Sequence, residues 1–312
     1  MAKGAITAIC ALAALASVTA APVGPVIGIV TQDLEGGDKT YIAASYIKYI
    51  ESAGGRVIPL RYDYPLDKLT DLFGKINGIL FPGGGADITH LQSKYMVAVQ
   101  HLWSLALAAN DNGDFFPVWG TCLGFETISI LAAKEPLVLS SGFDSEDLPL
   151  ALTLTPAATS STLLGSAPAD IIADLTQYNT TMNNHVAGVT PATFAQNSNL
   201  AAFYNVLSTN VDRKGKVFGS TIEGKKYPVW GTQWHPEKNA FEFTDREAIP
   251  HSEQAVSVCQ YTSNFFVNQA RKSSHTFNYT ELNQYIIWNY SPVFTYLDGS
   301  NFEQEYWFPP LE

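Results

Sequence analysis

The chain has 312 residues, of which 46% are hydrophobic and 15% are charged, which is typical of a globular protein with a sizeable core and excludes a disordered chain. Its 18 lysines and arginines are outnumbered by 29 aspartates and glutamates, so the formal net charge is −11 at pH 7. An acidic surface repels phosphate backbones and no basic cluster offsets it, so we expect no nucleic-acid partner.

The first 20 residues have the pattern of a secretory signal peptide. Lys3 supplies a positive start, residues 6–18 form an apolar run, and residues 18–20 (VTA) offer a small-residue cleavage site. An N-terminal core helix is the alternative. No later stretch reaches about 18 uninterrupted apolar residues, so we expect no membrane segment in the mature protein. Passage through the secretory route is also indicated by three N-glycosylation sequons, at Asn179, Asn278 and Asn289.

Two cysteines remain after removal of such a signal peptide, Cys122 and Cys259. Cys259 lies within residues 253–271, which have a helical pattern, and we interpret it as a buried inert thiol. A disulfide between the two cysteines is the alternative, but it would consume the thiol of Cys122, which is a candidate nucleophile.

From residue 25 onward, strand-like and helix-like segments alternate. Short apolar runs predict buried strands, at residues 26–31, 56–60, 77–81 and 116–120. Helical periodicity predicts helices, at residues 41–52, 67–73 and 93–110, with another after residue 122. Alternation at this spacing predicts an α/β fold of three layers (αβα), in which helices cover both faces of a central, mostly parallel sheet.

The second half of the chain differs in character. Residues 138–232 are rich in Thr, Ser, Ala and Asn, and they predict antiparallel strands and loops added to the same sheet, which makes it a mixed sheet. The segment from about residue 276 to 312 forms an aromatic-rich extension, with 11 aromatic residues between positions 277 and 308. We expect it to pack around the body of a single domain spanning residues 21–312; a subunit contact is the alternative.

The sequence GTCLG at residues 120–124 follows a predicted buried strand and precedes a predicted helix. This is the pattern of a nucleophile elbow, with cysteine in the position of serine. Flanking glycines permit the strained turn, and the start of the helix lowers the pKa of a thiol placed there. Cys122 is therefore the candidate nucleophile.

The sequence FPGGGAD at residues 81–87 also follows a predicted strand. Three glycines allow the backbone to approach a ligand and to present N–H groups to a negative oxygen, as in an oxyanion hole. A phosphate-binding loop is disfavoured, because the lysine of the G-x-x-x-x-G-K-[ST] motif is missing; a flexible loop is the remaining alternative.

A third motif, PVWGTQWHPE at residues 228–237, repeats the PVWGT of residues 117–121. Two similar strands are thus expected to end at one edge of the sheet. A cysteine nucleophile needs a base that takes its proton and returns it to the leaving amine, and His235 suits that role. Glu237 is placed to bond the other ring nitrogen and to fix the tautomer.

Together, FPVWGTCLGFE, ILFPGGGAD and PVWGTQWHPEK closely resemble the γ-glutamyl hydrolase (folylpolyglutamate hydrolase) family. That family is a branch of the class I glutamine amidotransferase-like fold, which is flavodoxin-like. The resemblance runs from about residue 25 to residue 243, and it is weaker over residues 176–225 and in the aromatic tail. The three motifs occur in the family's order.

The resemblance implies a cysteine hydrolase that cleaves γ-glutamyl bonds of folylpolyglutamates through an acyl-thioester. It implies that Cys122 is the nucleophile, His235 the general base and acid, and Glu237 the orienting carboxylate. The oxyanion N–H groups are expected from Gly83 or Gly84, together with Leu123. Two further residues are candidates for substrate binding, His185 and Glu126. Glu126 stands where glutaminases often have glutamine, and we expect it to accept an amide N–H or to serve the structure.

The family also implies a homodimer located in the lysosome or outside the cell. We expect no cofactor and no metal, because the sequence has neither a nucleotide-binding fingerprint nor a metal-ligand spacing. Candidates for binding substrate carboxylates are Arg61, Lys94 and Lys238. The alternatives are hydrolysis of another γ-glutamyl amide, a free-standing glutaminase, and a non-catalytic secreted glycoprotein of the same fold.

Overall fold

A sheet of eight strands runs through the computed structural model, which describes residues 24–33 and 39–311. The predicted signal peptide, residues 1–20, lies outside the described residues. None of the helices in the described ranges combines the length and the apolar character that crossing a bilayer requires.

The strands are β1 (Val26–Val30), β2 (Gln32–Asp33), β3 (Thr40–Ala43), β4 (Arg56–Leu60), β5 (Gly78–Phe81), β6 (Val118–Thr121), β7 (Ser140–Ser141), β8 (Leu148–Leu150), β9 (Thr153–Leu154), β10 (Thr181–Asn183), β11 (Ala187–Gly188), β12 (Tyr204–Val211), β13 (Val217–Gly224), β14 (Val229–Thr232), β15 (Val293–Phe294) and β16 (Gln304–Phe308). The α-helices are α1 (Ala44–Ser52), α2 (Leu66–Phe73), α3 (Lys94–Asp111), α4 (Leu123–Ala133), α5 (Ala169–Gln177), α6 (Pro191–Gln196), α7 (Ser198–Phe203), α8 (Lys238–Phe241), α9 (Glu253–Ala270) and α10 (Tyr279–Leu282). Short 3₁₀ turns lie at Pro136–Val138, Pro156–Ser160, Ile287–Asn289 and Tyr296–Asp298.

The main sheet has the strand order β4-β1-β5-β6-β14-β13-β12-β9. Neighbouring strands from β4 to β14 are parallel, whereas β13, β12 and β9 extend the sheet in antiparallel fashion. This confirms the expected α/β fold with a central, mostly parallel mixed sheet.

Both faces of the sheet are covered by helices, which gives the three layers. In β1, Val26 and Val30 belong to one hydrophobic cluster, while Ile27 and Ile29 belong to another on the opposite face. The first cluster includes side chains of α2, α3, α4, α6 and α7, and the second includes side chains of α1, α5 and α9. The continuous apolar runs of the parallel strands are explained by this burial on two sides.

The start of α1 differs from the sequence prediction. The periodicity of residues 41–52 predicts a helix from residue 41, but residues 41–43 belong to the strand Thr40–Ala43, and the helix begins at Ala44. Thr, Tyr and Ile suit a strand, and this one has partners on both sides in a second sheet of order β15-β16-β3-β2. Pairing with a strand from the end of the chain is a tertiary feature that helical periodicity does not show.

The aromatic extension contacts the body through a few buried side chains. Leu282, Ile287 and Phe308 are fully buried, whereas Tyr279 and Trp288 are exposed. At the end of the tail, β16 pairs with β3, and Arg61 donates a hydrogen bond to the carbonyl oxygen of Pro309.

Candidate active site

Three neighbouring parallel strands, β5, β6 and β14, end at the same edge of the main sheet. The chain continues from β5 into Gly83, from β6 into Cys122, and from β14 into His235. The carboxyl edge of a parallel sheet is the usual place for a site in an open α/β fold. The fold therefore brings the three predicted motifs together.

Cys122 occupies a sharp turn between β6 and α4. Its backbone has φ of 51° and ψ of −109°, a conformation that costs a non-glycine residue about 1–3 kcal/mol. The turn is held in place by the Cys122 N–H group, which donates to the carbonyl oxygen of Thr232 at 2.8 Å. Gly124 permits the close approach of α4, because a Cβ at this position would lie 1.9 Å from the carbonyl oxygen of Phe81.

His235 and Glu237 form a buried pair on the loop after β14. The Nδ1 atom of His235 lies 2.7 Å from Oε1 of Glu237, and the His235 backbone N–H donates to the carbonyl oxygen of Met182. Burial by itself would lower the pKa of His235, but the negative charges of Glu237 and Cys122 outweigh it and raise that pKa to about 10. The structure therefore favours the protonated imidazolium form of His235, with Nδ1–H donating to the carboxylate of Glu237.

Cys122 and His235 both lie next to Gly83. A Cβ added to Gly83 would lie 2.8 Å from Cε1 of His235 and 3.2 Å from Cβ of Cys122. A side chain at position 83 would therefore occupy the space where the thiol and the imidazole approach each other.

The glycine loop presents its N–H groups unequally. The N–H of Gly83 donates to the hydroxyl of Tyr46 at 2.8 Å, and that hydroxyl lies 3.3 Å from Nδ1 of His235. Within the described ranges, the N–H groups of Gly84 and Leu123 have no acceptor. Of the three predicted oxyanion donors, these two lack an acceptor among the described residues, whereas Gly83 donates to Tyr46.

Two further residues support the site, Tyr46 and Gln32, and neither is predicted from the sequence to have a role there. Nε2 of Gln32 donates to the carbonyl oxygens of Pro82 and Gly83, at 3.2 and 3.1 Å, so this side chain braces the glycine loop. Sequence reasoning misses both residues, because their roles depend on contacts between distant parts of the chain.

Glu126 lies on the first turn of α4 and is buried. Its Oε1 accepts a hydrogen bond from Nε2 of Gln233 at 3.0 Å, and burial raises the pKa of its carboxyl group to about 7. Oε1 of Gln233 is buried and has no partner within the described residues. This carboxyl–amide pair links the helix after β6 to the loop after β14.

His185 also lies beside the site. Its Nδ1 is 2.7 Å from the carbonyl oxygen of Ala187, and its ring packs edge-on against Phe218 at a centroid distance of 4.6 Å. Burial lowers the pKa of His185 to about 4, so the ring is neutral at physiological pH. Nδ1–H donates to the carbonyl, and Nε2, buried without a partner among the described residues, is left as a hydrogen-bond acceptor.

The three predicted carboxylate-binding cations differ in environment. The guanidinium of Arg61 pairs with Asp63 through two hydrogen bonds, at 2.9 and 2.7 Å. Lys238 is buried and paired with Glu247, while Lys94 is exposed at the start of α3. Arg61 and Lys238 are thus already neutralised by carboxylates of the protein.

Neither of the described cysteines forms a disulfide. Cys259 is buried in α9, where burial raises the pKa of its thiol to about 12. Among the described residues, no three His, Cys, Asp or Glu side chains are grouped so as to hold a metal ion.

A thiol on a strained turn, an imidazole held by a carboxylate, and nearby N–H groups without an acceptor in the described ranges are the groups that a cysteine hydrolase of the acyl-enzyme type requires. The fold is class I glutamine amidotransferase-like. The glutaminase domain of Trypanosoma brucei CTPS with bound acivicin matches it with a TM-score of 0.50 at 13% identity, covering 81% of this chain and 96% of that chain.

Residues 25–133 match the family model described as Peptidase C26. Gamma-glutamyl hydrolase B of Dictyostelium discoideum is 44% identical over 292 residues, which cover 91% of this chain and 83% of that protein. Gamma-glutamyl hydrolase of Mus musculus is 43% identical over 289 residues, covering 91% of this chain and 89% of that protein. The chain belongs to the gamma-glutamyl hydrolase family.

Proposed function

We propose that this protein hydrolyses γ-glutamyl isopeptide bonds through an acyl-thioester on Cys122. The observation that carries the proposal is the meeting of Cys122 with the His235–Glu237 pair at the carboxyl edge of the sheet, in a chain of the gamma-glutamyl hydrolase family. The residue roles predicted from the sequence fit this geometry.

In the first half-reaction, the thiolate of Cys122 attacks the γ-carbonyl carbon and the electron pair of the C=O bond moves to oxygen. The C–N bond then breaks, and the leaving amine takes a proton from Nε2 of the His235 imidazolium. In the second half-reaction, His235 removes a proton from water, and the resulting hydroxide attacks the thioester carbon. The C–S bond breaks, so that the thiolate and the imidazolium are restored.

Charge developing on the carbonyl oxygen needs donors already in place. We assign this role to the N–H groups of Leu123 and Gly84, because Gly83 donates to Tyr46. Removing one such donor from an enzyme of this type costs about 10²–10³ in kcat.

We assign the binding of the γ-glutamyl group to His185 and to the Glu126–Gln233 pair. Nε2 of His185 and Oε1 of Gln233 are buried acceptors without partners in the described residues, so an N–H donor of the substrate would satisfy both. Because burial holds the pKa of His185 near 4, this ring accepts a hydrogen bond and does not pair with a carboxylate.

The substrate class we propose is folylpoly-γ-glutamates. Purified protein is incubated with pteroylpentaglutamate, with the same conjugate linked through α-carboxyl groups, and with free glutamine, and the products are analysed by mass spectrometry. We expect shortened folates with release of glutamate or short γ-linked peptides from the first substrate alone. Release of ammonia from glutamine, with an intact pentaglutamate, would overturn the proposal. Cys122→Ala serves as the inactive control.

We propose entry into the secretory pathway and residence in the lysosome or outside the cell. The predicted signal peptide supports this, as do Asn179 and Asn278, which are exposed. Asn289 is also exposed, but its Nδ2 donates to the carbonyl oxygen of Asn283 at 2.7 Å. After expression in a secretory host, we expect glycans on Asn179 and Asn278 and none on Asn289. Peptide mapping before and after N-glycosidase treatment measures this, and glycosylation of Asn289 alone would contradict it.

We propose a homodimer. Exposed aromatic side chains of the tail, including Tyr279, Trp288 and Phe294, offer apolar surface for such a contact. Sedimentation equilibrium of the secreted protein distinguishes a dimer from a monomer.

A further inference from the structure

The small sheet β15-β16-β3-β2 connects the end of the chain to the active site. In its register, Trp307 lies opposite Tyr41, and Tyr41 lies opposite Gln32. The strand pair β15–β16, which we call the tail hairpin, therefore sits on one edge of β3, while the strand that carries Gln32 sits on the other. The tail hairpin and β2 are connected only through β3 within this sheet.

The strands β2 and β3 carry or lead to the residues that hold the catalytic loops. Gln32, in β2, donates to the carbonyl oxygens of Pro82 and Gly83 in the glycine loop. Tyr46 lies three residues after Ala43, the last residue of β3, and its hydroxyl contacts both the Gly83 N–H and Nδ1 of His235. A displacement of β3 would thus disturb the contacts that hold both the glycine loop and His235.

The direction of α1 depends on this strand. Ala43 stands at the N-cap position and provides no side-chain hydrogen bond to the first turn of the helix. A capping side chain normally accepts a hydrogen bond from a backbone N–H of the first turn and so stabilises the start of the helix. In its place, the pairing of β3 with β16 fixes the chain up to the residue that precedes α1.

The tail also contacts the loop after His235. Oε2 of Glu242 accepts a hydrogen bond from the N–H of Glu303 at 2.9 Å, and Glu242 is buried. The ammonium of Lys238, the residue after Glu237, lies 5.4 Å from the ring centre of Phe302. The segment therefore supports the His235 loop as well as the glycine loop.

The tail hairpin is anchored by groups outside the catalytic set. Phe308 is fully buried, with its ring centre 4.8 Å from that of Tyr290. Nε1 of Trp307 donates to Oε2 of the buried Glu305 at 2.7 Å. Substitutions at Phe308 and Trp307 can therefore loosen the hairpin without touching Cys122, His235 or the residues assigned to substrate binding.

We infer that the tail hairpin is a positioning element of the active site, which acts through Gln32 and Tyr46 to hold the glycine loop and His235 against Cys122. The inference rests on the proposed hydrolysis of γ-glutamyl bonds, and one of its readouts is independent of the substrate.

The test compares Phe308→Ala with Leu282→Ala, a matched loss of a fully buried side chain elsewhere in the tail. The first readout is the pH profile of the rate at which iodoacetamide alkylates Cys122, followed by peptide mass spectrometry. The second is kcat and KM on pteroylpentaglutamate. Phe308→Leu is the conservative variant that should restore function, and Trp307→Ala replaces Phe308→Ala if the latter is insoluble.

For Phe308→Ala and Trp307→Ala, we expect a displaced midpoint of the alkylation profile and a loss of kcat of about 10- to 100-fold with little change in KM, since small misplacements of reacting groups have effects of this size. Leu282→Ala should lose thermal stability but keep the wild-type profile and kcat. Wild-type behaviour of both hairpin variants, or an equal effect of Leu282→Ala, would overturn the inference. If wild-type protein fails to cleave the folate, the proposed function is wrong, while the alkylation profiles still decide the role of the hairpin.

Discussion

The same four residues, Val-Trp-Gly-Thr, form both β6 and β14, and the two strands lie side by side in parallel. Their register pairs identical residues, with Trp119 opposite Trp230 and Gly120 opposite Gly231. The segments after the two strands differ. After β6 comes a strained cysteine and a buried helix, and after β14 comes a loop that carries the imidazole and its carboxylate.

In these two regions, the strands position the chain, and the residues after the strands carry the functional side chains. The repeated strands place two chain ends next to each other at one edge, and they contribute no reacting group themselves. The proposed nucleophile, Cys122, follows β6, and the proposed proton-transfer group, His235, follows β14. Gln233 and Glu126 add a direct link between the two continuations.

The largest expected effect comes from removing the nucleophile. Cys122→Ala should lower kcat by about 10⁴-fold or more, because acyl transfer then lacks its covalent route. The matched variant is Cys259→Ala, since Cys259 is buried in α9 and lies outside the site. It should keep kcat near the wild-type value. Steady-state hydrolysis of pteroylpentaglutamate measures both, and comparable activities of the two variants would contradict the assignment.

The next effect concerns the continuation after β14. The negative charge of Glu237, whose Oε1 lies 2.7 Å from Nδ1 of His235, raises the pKa of that imidazole. The substitution Glu237→Gln removes this charge. We expect kcat to fall by between about 10²- and 10⁴-fold, as when the orienting carboxylate of a triad is replaced by an amide. The pKa of His235 should also drop from about 10, so the imidazolium is lost at lower pH. NMR titration of the histidine detects this, and an unchanged titration would exclude the proposed pairing.

The link between the two continuations should be visible in stability. Burial raises the pKa of Glu126 from 4.5 to about 7, so ionisation above pH 4.5 favours the unfolded chain and the folded protein loses stability until about pH 7. In Glu126→Gln this loss is absent, and the amide can still accept from Gln233. The free energy of unfolding of the variant relative to wild type should therefore rise by about 3 kcal/mol between pH 4 and pH 8. Urea denaturation at the two pH values measures it, and a pH-independent difference would show that Glu126 ionises normally.

The smallest effect distinguishes the two glycines. A Cβ at Gly120 would lie 2.6 Å from the backbone oxygen of Gly124, whereas a Cβ at Gly231 would meet only side-chain atoms, at 3.0 Å or more. Backbone yields less readily than side chains, so Gly120→Ala should cost about 3 kcal/mol and Gly231→Ala about 1 kcal/mol. Thermal unfolding of the pair tests the order. A larger loss of stability in Gly231→Ala than in Gly120→Ala would contradict the close backbone approach at Gly120.

The positions of Cys122, the glycine loop and His235 could be predicted from the sequence because each lies within a short local motif that follows a strand. Cys122, the glycine loop and His235 could be placed at one edge from the alternation of strands and helices alone. Parallel strands have their carboxyl ends together, so no long-range contact had to be known.

The supporting contacts could not be predicted in the same way. Tyr46 and His235 are 189 positions apart, and Gln32 and Gly83 are 51 apart. The prediction of a helix at residues 41–43 is wrong because the strand partner of β3, β16, lies near the other end of the chain. These contacts depend on tertiary pairing, for which residues 41–43 give no local signal.

Identification of the acylated residue tests the proposed role of Cys122 directly. Wild-type protein is mixed with pteroylpentaglutamate, quenched in acid within a turnover, digested, and analysed by mass spectrometry. We expect the added mass of a shortened folate acyl group on the peptide that contains Cys122, and none on the peptide that contains Cys259. An acyl group on any other residue, or full turnover by Cys122→Ala, would contradict this role.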